Sequence, residues 1–526
     1  MNKKPVVTAD EAVAVIQSGW TVSLEGGSGG LSEPEQLFVA LEKRFLATGS
    51  PRSLTFVHSN GMGNGKDKSI AHIAHEGLVK RIIGGHYGMT PLVGEFAAND
   101  KCEAYNFPQG VIAQLYREIA GRRPGLVTHV GLHTFVDPRL EGGKLNRVTT
   151  EELVELTERG GKQYLFYPSL HLDAVFLRGT TADEYGNISC EEEAAYLNGL
   201  AAAQAVKACG GIVIAQVKRI AKAGTLDSRT VKIPGIFVDY LVVDGGQTQT
   251  YAHAYDPSLN GSLKAPEPKL GELPLDERKI VCRRAAMELR RGAVVNLGYG
   301  MSADVAAVAA EEGIGESLTF AVEQGAIGGV PISGILFGTA INPQAVLDAP
   351  AQFDFFDSGR LDISFLGMAQ MNAAGDVNVS KFGPRIVGCG GFINITQNSK
   401  KVVFCFSFTA GGLKIGTEQG RLRIEQEGKH RKFVPQIDQV TFAARMALQS
   451  GQEILYVTER AVFDLTPDGI RLIEIAPGVD LEKDVLGQMD VVPLVSPSLK
   501  LMDAAIFRDE PLGLAERLVG IGDGAR

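Results

Sequence analysis

Two stretches decide the fold class, Gly19-Trp20-Thr21-Val22-Ser23-Leu24 and Gly292-Ala293-Val294-Val295-Asn296-Leu297, because they repeat one pattern in the two halves of the chain. Each places a glycine before a short apolar run, which is typical of a buried strand in a parallel sheet. Further pairs follow in the same order: Leu54-Thr55-Phe56 with Leu318-Thr319-Phe320, Gly186-Asn187-Ile188-Ser189 with Gly375-Asp376-Val377-Asn378, and Ile212-Val213-Ile214 with Val402-Val403-Phe404. This ordered series indicates two diverged copies of one unit.

Around these segments, strand-like runs alternate with alanine-rich helical stretches, which predicts an α/β protein with mostly parallel sheets. Residues 11–18 and 198–208 read as helices, and residues 211–217 as a buried strand. The spacing of the repeated segments also predicts an insertion in the first copy, between Gly61 and Gly186.

One segment interrupts the alternation and divides the chain into domains. Residues 247–277 are polar and punctuated by proline and glycine, without helical or strand periodicity. We interpret them as a linker between an N-terminal domain, residues 1–246, and a C-terminal domain, residues 278–526.

Composition favours an ordinary cytoplasmic enzyme. The 526 residues include 61 acidic and 52 basic side chains, so the net charge of −9 argues against a nucleic-acid surface. The six cysteines lie far apart, which predicts reduced thiols and neither a disulfide framework nor a metal cluster. No export signal is visible, and polar residues interrupt every apolar run before it reaches membrane-spanning length.

The repeat comparison singles out one carboxylate. Ser59-Asn60-Gly61 in the first copy corresponds to Glu323-Gln324-Gly325 in the second, at the carboxyl end of a predicted parallel strand. That end of the strand borders the ligand crevice in open α/β sheets. The surrounding residues 322–331 are glycine-rich and almost uncharged, so the Glu323 carboxylate would be partly desolvated and more nucleophilic or basic. A surface glutamate in a turn is the alternative.

Three glycine loops could hold a ligand: Gly26-Gly27-Ser28-Gly29-Gly30, Gly298-Tyr299-Gly300 and Gly388-Cys389-Gly390-Gly391-Phe392. Without a Cβ, their backbone N–H groups can face an oxyanion, a phosphate or a thin pantetheine-like arm. They are equally compatible with tight turns between strand and helix. In the third loop, Cys389 is best explained as a small packed residue.

Two of these loops also fit other motifs. Gly298-x-Gly300-x-x-Ala303 mimics a dinucleotide-binding fingerprint, with Glu323 placed as a ribose-binding acid. The Gly26–Gly30 loop satisfies GxSxG, the nucleophile elbow of a hydrolase, with Ser28 as nucleophile. No Asp and His can be assigned to Ser28 from the sequence, and the dinucleotide motif does not explain the duplicated halves.

Together, these motifs and others resemble family I CoA-transferases, in particular the single-chain branch that acts on short-chain acyl-CoA. That branch includes propionate, acetate and acetoacetate CoA-transferases, with the α and β subunits of heteromeric relatives fused. The resemblance spans nearly the whole chain and is carried by Val322-Glu323-x-Gly325-x-Ile327-Gly328-Gly329, Asn296-Leu297-Gly298-x-Gly300, Gly388-x-Gly390-Gly391-Phe392, and residues 106–111, 131–139, 352–355, 458–463 and 474–481.

The resemblance implies a ping-pong reaction in a cleft between the two domains. Glu323 is implied to be the nucleophile, which forms first an acyl anhydride and then a glutamyl-CoA thioester. The implied oxyanion donors are the side-chain amide of Gln109, in the first-half insertion, and backbone N–H groups near Gly391 and Phe392.

The resemblance also implies the ligands. CoA is a substrate and no resident cofactor or metal is expected; the acceptor is acetate, propionate, butyrate or acetoacetate. A cytoplasmic homo-oligomer of short-chain fatty acid or ketone body metabolism is expected, with no nucleic-acid or membrane partner. An acyl-CoA hydrolase and a non-catalytic CoA or nucleotide sensor remain alternatives. The implied CoA contacts are Asn296, Gly298, Gly300, Gly325, Gly388, Gly390 and Phe392, and the implied substrate pocket is Gly27, Ser28, Gly29 and Gly30.

Overall fold

A computed structural model describes residues 2–266, 271–518 and 520. The first half is built on a ten-stranded sheet, whose eight main strands are, from edge to edge, Val6–Val7, Tyr240–Val243, Ile212–Ala221, Ala174–Asp183, Thr21–Leu24, Leu54–His58, Val79–Gly84 and Glu103–Asn106. Ile188–Ser189 and Val231–Ile233 complete it away from this path.

The second half is built on an eight-stranded sheet, in the order Thr319–Phe320, Val294–Leu297, Ile363–Leu366, Lys401–Cys405, Glu453–Val457, Ala461–Thr466, Gly469–Ile475 and Leu494–Leu501. A small three-stranded sheet has Lys162–Pro168 at its centre, between Gly125–Thr128 and Glu155–Arg159. Six two-stranded pairs complete the strands of the described residues: Ala326–Ile327 with Ala345–Val346, Val330–Pro331 with Ala340–Ile341, Gln370–Met371 with Val377–Asn378, Lys381–Phe382 with Arg385–Ile386, Thr409–Ala410 with His430–Arg431, and Lys414–Glu418 with Arg421–Gln426.

Helices cover the sheets. The α-helices are Ala9–Val13, Glu35–Thr48, Pro91–Ala98, Gln109–Ala120, Gly199–Ala208, Glu277–Ala286, Val305–Glu311, Ala349–Asp357, Phe392–Asn398, Ala444–Ser450 and Leu514–Arg517. Short 3-10 or π turns occupy Ser69–Ile73, Met301–Asp304, Gly315–Ser317, Gly334–Leu336, Leu481–Val485, Leu486–Gln488 and Ala504–Phe507. Within the described ranges, no helix combines the length and apolarity that a membrane span requires.

The strand order confirms the duplication. Thr21–Leu24 pairs in parallel with Leu54–His58 on one side and Ala174–Asp183 on the other. At the matching place in the second sheet, the repeated segment Val294–Leu297 pairs in parallel with Thr319–Phe320 and Ile363–Leu366. Both halves therefore share one parallel core.

Element boundaries depart from the sequence predictions where local contacts decide them. The first helix begins at Ala9, two residues before its predicted start, because Thr8 and Glu11 form a reciprocal capping box. The strand predicted at 211–217 runs over Ile212–Ala221, since it stays paired with Ala174–Asp183 to its end.

The predicted linker packs against the first half over part of its length. The Tyr251 N–H donates to the Gly29 carbonyl at 2.7 Å. Gln249 and Thr250 are buried. Residues 267–270 of this predicted linker lie outside the described residues. The following helix begins at Glu277, where the Asp276 side chain caps its free N–H groups.

The first-half insertion supplies the helix that joins the halves. Helix Gln109–Ala120 lies in the stretch predicted as inserted, and its first turns contact the second half. The Gly110 N–H donates to Asn394 Oδ1 at 3.1 Å, and Gln114 Nε2 donates to Asp357 Oδ2 at 2.8 Å. A Cβ on Gly110 would overlap the Asn394 side chain, so the glycine permits this close approach.

Asn106 ties the two halves together next to that helix. Its Nδ2 donates to the carbonyls of Gly84 and Gly85, at 2.8 and 2.6 Å. Its Oδ1 accepts the N–H of Cys389, in the second half, at 2.8 Å. Because the side chain is fully buried, truncating it would remove a hydrogen bond from each of its three backbone partners.

Asn106→Ala is therefore expected to destabilise the junction by about 2 to 4 kcal/mol. Thermal unfolding followed by circular dichroism measures this as a lower midpoint. Asn99→Ala serves as the matched control, since Asn99 is exposed and its Nδ2 bonds only to Glu95 within the same turn. Equal midpoints for the two variants would contradict the role given to Asn106.

Candidate active site

Glu323 lies at the seam between the halves. It follows the short strand Thr319–Phe320, and its Oε1 accepts a hydrogen bond from Gln324 Nε2 at 3.1 Å. Its other carboxylate oxygen faces Gly391, where a Cβ would overlap Oε2. The ring of Phe353 lies beside the same glycine, 3.3 Å from where that Cβ would be.

Burial changes the charge state of this carboxylate. Desolvation raises the pKa of Glu323 from its ordinary value to about 7, against the smaller opposing effect of the Gln324 hydrogen bond. Within residues 2–266 and 271–518, no cation contributes to this shift. A carboxylate without an ion-pair partner is weakly stabilised, and it is correspondingly reactive as a nucleophile or base.

Gln109 reaches the same place from the first half. It begins helix Gln109–Ala120 and is 1% exposed. Its side-chain Nε2 donates to Asn60 Oδ1 at 2.6 Å, and Asn60 in turn donates to the Gly26 carbonyl. Its backbone N–H donates to the Gly390 carbonyl at 2.9 Å. The structure thus brings Gln109, Gly391 and Glu323 together at one place.

The third glycine loop connects these residues. The Gly390 N–H donates to Gly85 at 2.8 Å, and the Phe392 N–H donates to Cys389 within the loop at 3.0 Å. Among the donors near Glu323, Phe392 is therefore already used. Gly391 precedes helix Phe392–Asn398 and is left as the better placed backbone donor.

Of the remaining residues implied as CoA contacts, only one faces open space. Gly300 has φ +94° and no atom within 4 Å of a Cβ placed on it. In contrast, Gly298 packs on Leu366, and a Cβ on Gly388 would lie 2.9 Å from the His86 Cα. These two glycines allow the protein to pack closely against itself.

Two further residues of that set support the loop around Glu323. A Cβ on Gly325 would overlap the Leu347 carbonyl. Asn296 is buried, and its Nδ2 donates to the Ala321 carbonyl at 2.9 Å. This bond fixes the start of the segment that carries Glu323.

The Gly26–Gly30 loop contacts the second half beside this segment. Ser28 Oγ donates to the Phe337 carbonyl at 3.1 Å, and a Cβ on Gly29 would overlap the Ile335 carbonyl. Gly27 packs on Leu197 and Gly30 on Tyr251. Ser28 is thus bonded to a backbone carbonyl, and within the described part of the chain no hydrogen bond joins it to a histidine, as an activated serine would require.

Sequence reasoning missed His86. It follows strand Val79–Gly84 and lies beside Gly390 and Gly61, with a lowered pKa of about 4 caused by burial and by neighbouring His58. The signal was available in Gly84-Gly85-His86-Tyr87-Gly88, a glycine-rich loop after an apolar run, inside the predicted insertion.

Known proteins resemble this chain over most of its length. Residues 6–244 match the family described as Coenzyme A transferase. The chain is 44% identical to acetate CoA-transferase YdiF of Escherichia coli K12 over 513 residues, 97% of either chain. It is 46% identical to the caffeate CoA-transferase of Acetobacterium woodii over 516 residues, 97% of this chain and 98% of the relative.

The protein belongs to the coenzyme A transferase family. A crystal structure of the acyl-CoA transferase YdiF from E. coli O157:H7, solved as a thioester complex with CoA, superposes with a TM-score of 0.94 at 42% identity, over 98% of each chain. The fold and the single-chain arrangement inferred from the sequence are thereby confirmed.

In this CoA-transferase, Gly391→Ala is expected to lower the rate of CoA transfer about 100-fold, because the new Cβ displaces the Glu323 carboxylate. Initial rates with acetyl-CoA and propionate measure the effect. Gly315→Ala is the matched control, since nothing lies within 4 Å of a Cβ there. A Gly391→Ala enzyme with wild-type rates would show that Glu323 tolerates the contact.

Proposed function

We propose that the protein transfers CoA between a short-chain acyl-CoA and a carboxylate acceptor, by a ping-pong reaction through a glutamyl-CoA thioester at Glu323. The observation that carries this proposal is the Glu323 carboxylate, desolvated and without a cation among the described residues, against the backbone of Gly391 at the seam of the halves. The family assignment and the thioester complex of the YdiF relative support it.

The reaction begins at the thioester carbonyl carbon. A Glu323 oxygen bonds to that carbon, the carbon–sulfur bond breaks, and CoA leaves as a thiolate, giving a mixed anhydride. The thiolate then attacks the glutamyl carbonyl carbon and expels the acid as its carboxylate. The glutamyl-CoA thioester remains, and an incoming carboxylate reverses these steps to become the new acyl-CoA.

Each of these steps passes through a tetrahedral oxyanion. The Gln109 amide and the Gly391 N–H are the donors that we assign to it, one from each half of the chain. The Gln109 donor is fixed beforehand: Asn60 holds its side chain, and the Gly390 carbonyl holds its backbone. Donors fixed in this way contribute about 3 to 4 kcal/mol each to an oxyanion transition state.

The acceptors that we propose are acetate, propionate, butyrate or acetoacetate. The two relatives named above are an acetate and a caffeate CoA-transferase. Acetate and caffeate share a carboxylate and differ in the group attached to it. An acyl-CoA hydrolase would use the same intermediate with water, and it is separated by testing whether CoA release requires added carboxylate. CoA itself acts as substrate, and the proposal includes no resident cofactor or metal.

The cellular setting that we propose is a cytoplasmic homo-oligomer of short-chain fatty acid or ketone body metabolism. Its support is the six free thiols and the mildly acidic net charge of −9. Light scattering coupled to size exclusion measures the oligomeric state.

The decisive experiment is peptide mass spectrometry after incubation with acetyl-CoA or propionyl-CoA. The expected result is a peptide carrying CoA at Glu323, which becomes a hydroxamate when hydroxylamine is added. Glu323→Ala should lose the adduct and the transfer activity while keeping its fold, because the change removes one carboxylate and little packing.

Glu316→Ala is the control, an exposed glutamate of the same half. It should retain both adduct and turnover. Substantial transfer by Glu323→Ala, or an adduct at a different residue, would reject Glu323 as nucleophile. Binding of CoA without any turnover would instead favour a sensor.

The raised pKa of Glu323 also predicts the pH profile. Only the ionised carboxylate is nucleophilic, so kcat/KM for acyl-CoA should rise with pH and level off above about 7. At lower pH, kcat/KM should decrease, and the decrease should approach tenfold per pH unit. The rate of adduct formation at Glu323, measured by rapid quench between pH 5.5 and 8.5, should follow the same curve; a flat curve would contradict the proposed state of the carboxylate.

A further inference from the structure

His86 is held in place by backbone bonds on both sides. The Gly85 carbonyl accepts the Gly390 N–H at 2.8 Å, and the Tyr87 N–H donates to the Val387 carbonyl at 2.7 Å. Both partners belong to the second half. The backbone of His86 is therefore fixed against the loop that leads to Gly391.

Glycines make the space that the imidazole occupies. A Cβ on Gly61 would lie 2.6 Å from His86 Nδ1, and a Cβ on Gly88 would lie 2.8 Å from Cε1. A Cβ on Gly390 would lie 3.6 Å from Cδ2 of the ring and 3.8 Å from Gln109 Oε1. The imidazole thus lies on one side of Gly390 and Gln109 on another, while the next residue, Gly391, contacts Glu323.

Among the residues that the structure describes, none forms a hydrogen bond with the polar atoms of the His86 imidazole, in contrast to its neighbour His58. His58 Nδ1 bonds to the Asn60 carbonyl at 2.9 Å. For His86, only burial and the proximity of His58 act on the pKa, and no hydrogen bond from a described residue offsets them. The residue as a whole is only partly buried, which is compatible with contact with a small molecule in the cleft.

The charge state of His86 suits an anionic ligand beside Glu323. With its pKa lowered to about 4, the imidazole is neutral at neutral pH and carries one N–H donor. A lysine or arginine in this place would pair with Glu323 and lower its nucleophilicity. A neutral donor can bind a carboxylate without that cost.

We propose that the His86 imidazole donates a hydrogen bond to a carboxylate oxygen of the acid that enters and leaves the Glu323 pocket. His86 is then a substrate-binding residue, and the inference rests on the proposed transfer reaction at Glu323. Its ligand class is a small carboxylate, bound beside the ring and next to Glu323.

The test compares His86→Phe and His86→Gln with the wild-type enzyme, using propionyl-CoA as donor and acetate as acceptor. Loss of a hydrogen bond to a charged group predicts a KM for acetate about 10- to 100-fold higher in His86→Phe. His86→Gln keeps an N–H donor of similar reach and is expected to show a smaller increase. If the phenylalanine variant folds poorly, the glutamine variant and His86→Asn carry the comparison.

Tyr87→Phe is the matched control for disturbance of this loop. It removes a hydroxyl that donates to the Tyr105 carbonyl at 2.5 Å, and it is expected to leave the KM for acetate unchanged. A second readout is the final yield of glutamyl-CoA adduct at a fixed ratio of propionyl-CoA to propionate. At equilibrium this yield depends on the free enzyme and the glutamyl-CoA enzyme, neither of which holds the acid, so it should match the wild-type yield in His86→Phe.

The outcomes separate the two proposals. A KM for acetate within twofold of wild type in His86→Phe, with the adduct still formed, overturns the role of His86 and leaves the transfer mechanism standing. Equal increases in His86→Phe and His86→Gln, or an increase in Tyr87→Phe, overturn the hydrogen bond as the cause. Absence of the adduct in the wild-type enzyme overturns the proposed function itself.

Discussion

The backbone contact between the two halves is the constraint on which the site depends. Gln109 N–H to the Gly390 carbonyl and Gly390 N–H to the Gly85 carbonyl are short bonds between segments far apart in sequence. These bonds fix the distance between the halves at one point, and that distance determines where the side chains on either side lie. Gly85 has to be glycine in this arrangement, because a Cβ there would overlap the Ser59 carbonyl.

Desolvation is the second physical factor that determines the chemistry of the site. Glu323 is surrounded by glycines, amides and an aromatic ring, and no cation in the described part of the chain stabilises its charge. The same low-polarity surroundings keep the Cys389 thiol protonated by raising its pKa, so this cysteine does not compete as a nucleophile. One environment thus makes one group reactive and keeps its neighbour inert.

The duplicated architecture could be predicted from sequence because strands such as Val294–Leu297 carry their pattern in a few adjacent residues. Glu323 could be proposed because the comparison of the copies places it at the carboxyl end of a strand. Gln109 came only from the resemblance to a family, and His86 was missed, because each lies in the insertion, which has no counterpart in the other half for comparison. The individual roles of the glycines were equally inaccessible, since Gly300 and Gly298 look alike in sequence while one faces open space and the other packs on Leu366.

The packing of Tyr251 has a consequence for how such a chain can evolve. Its backbone N–H bonds to Gly29, and its hydroxyl donates to Glu33, so the connection between the halves also forms part of the wall behind the first glycine loop. In a fused chain with such a contact, the connecting segment is part of the folded first half and cannot be cut without loss of that contact. Separating the halves into two polypeptides here would leave the Gly29 carbonyl without its donor, and another segment would have to replace it.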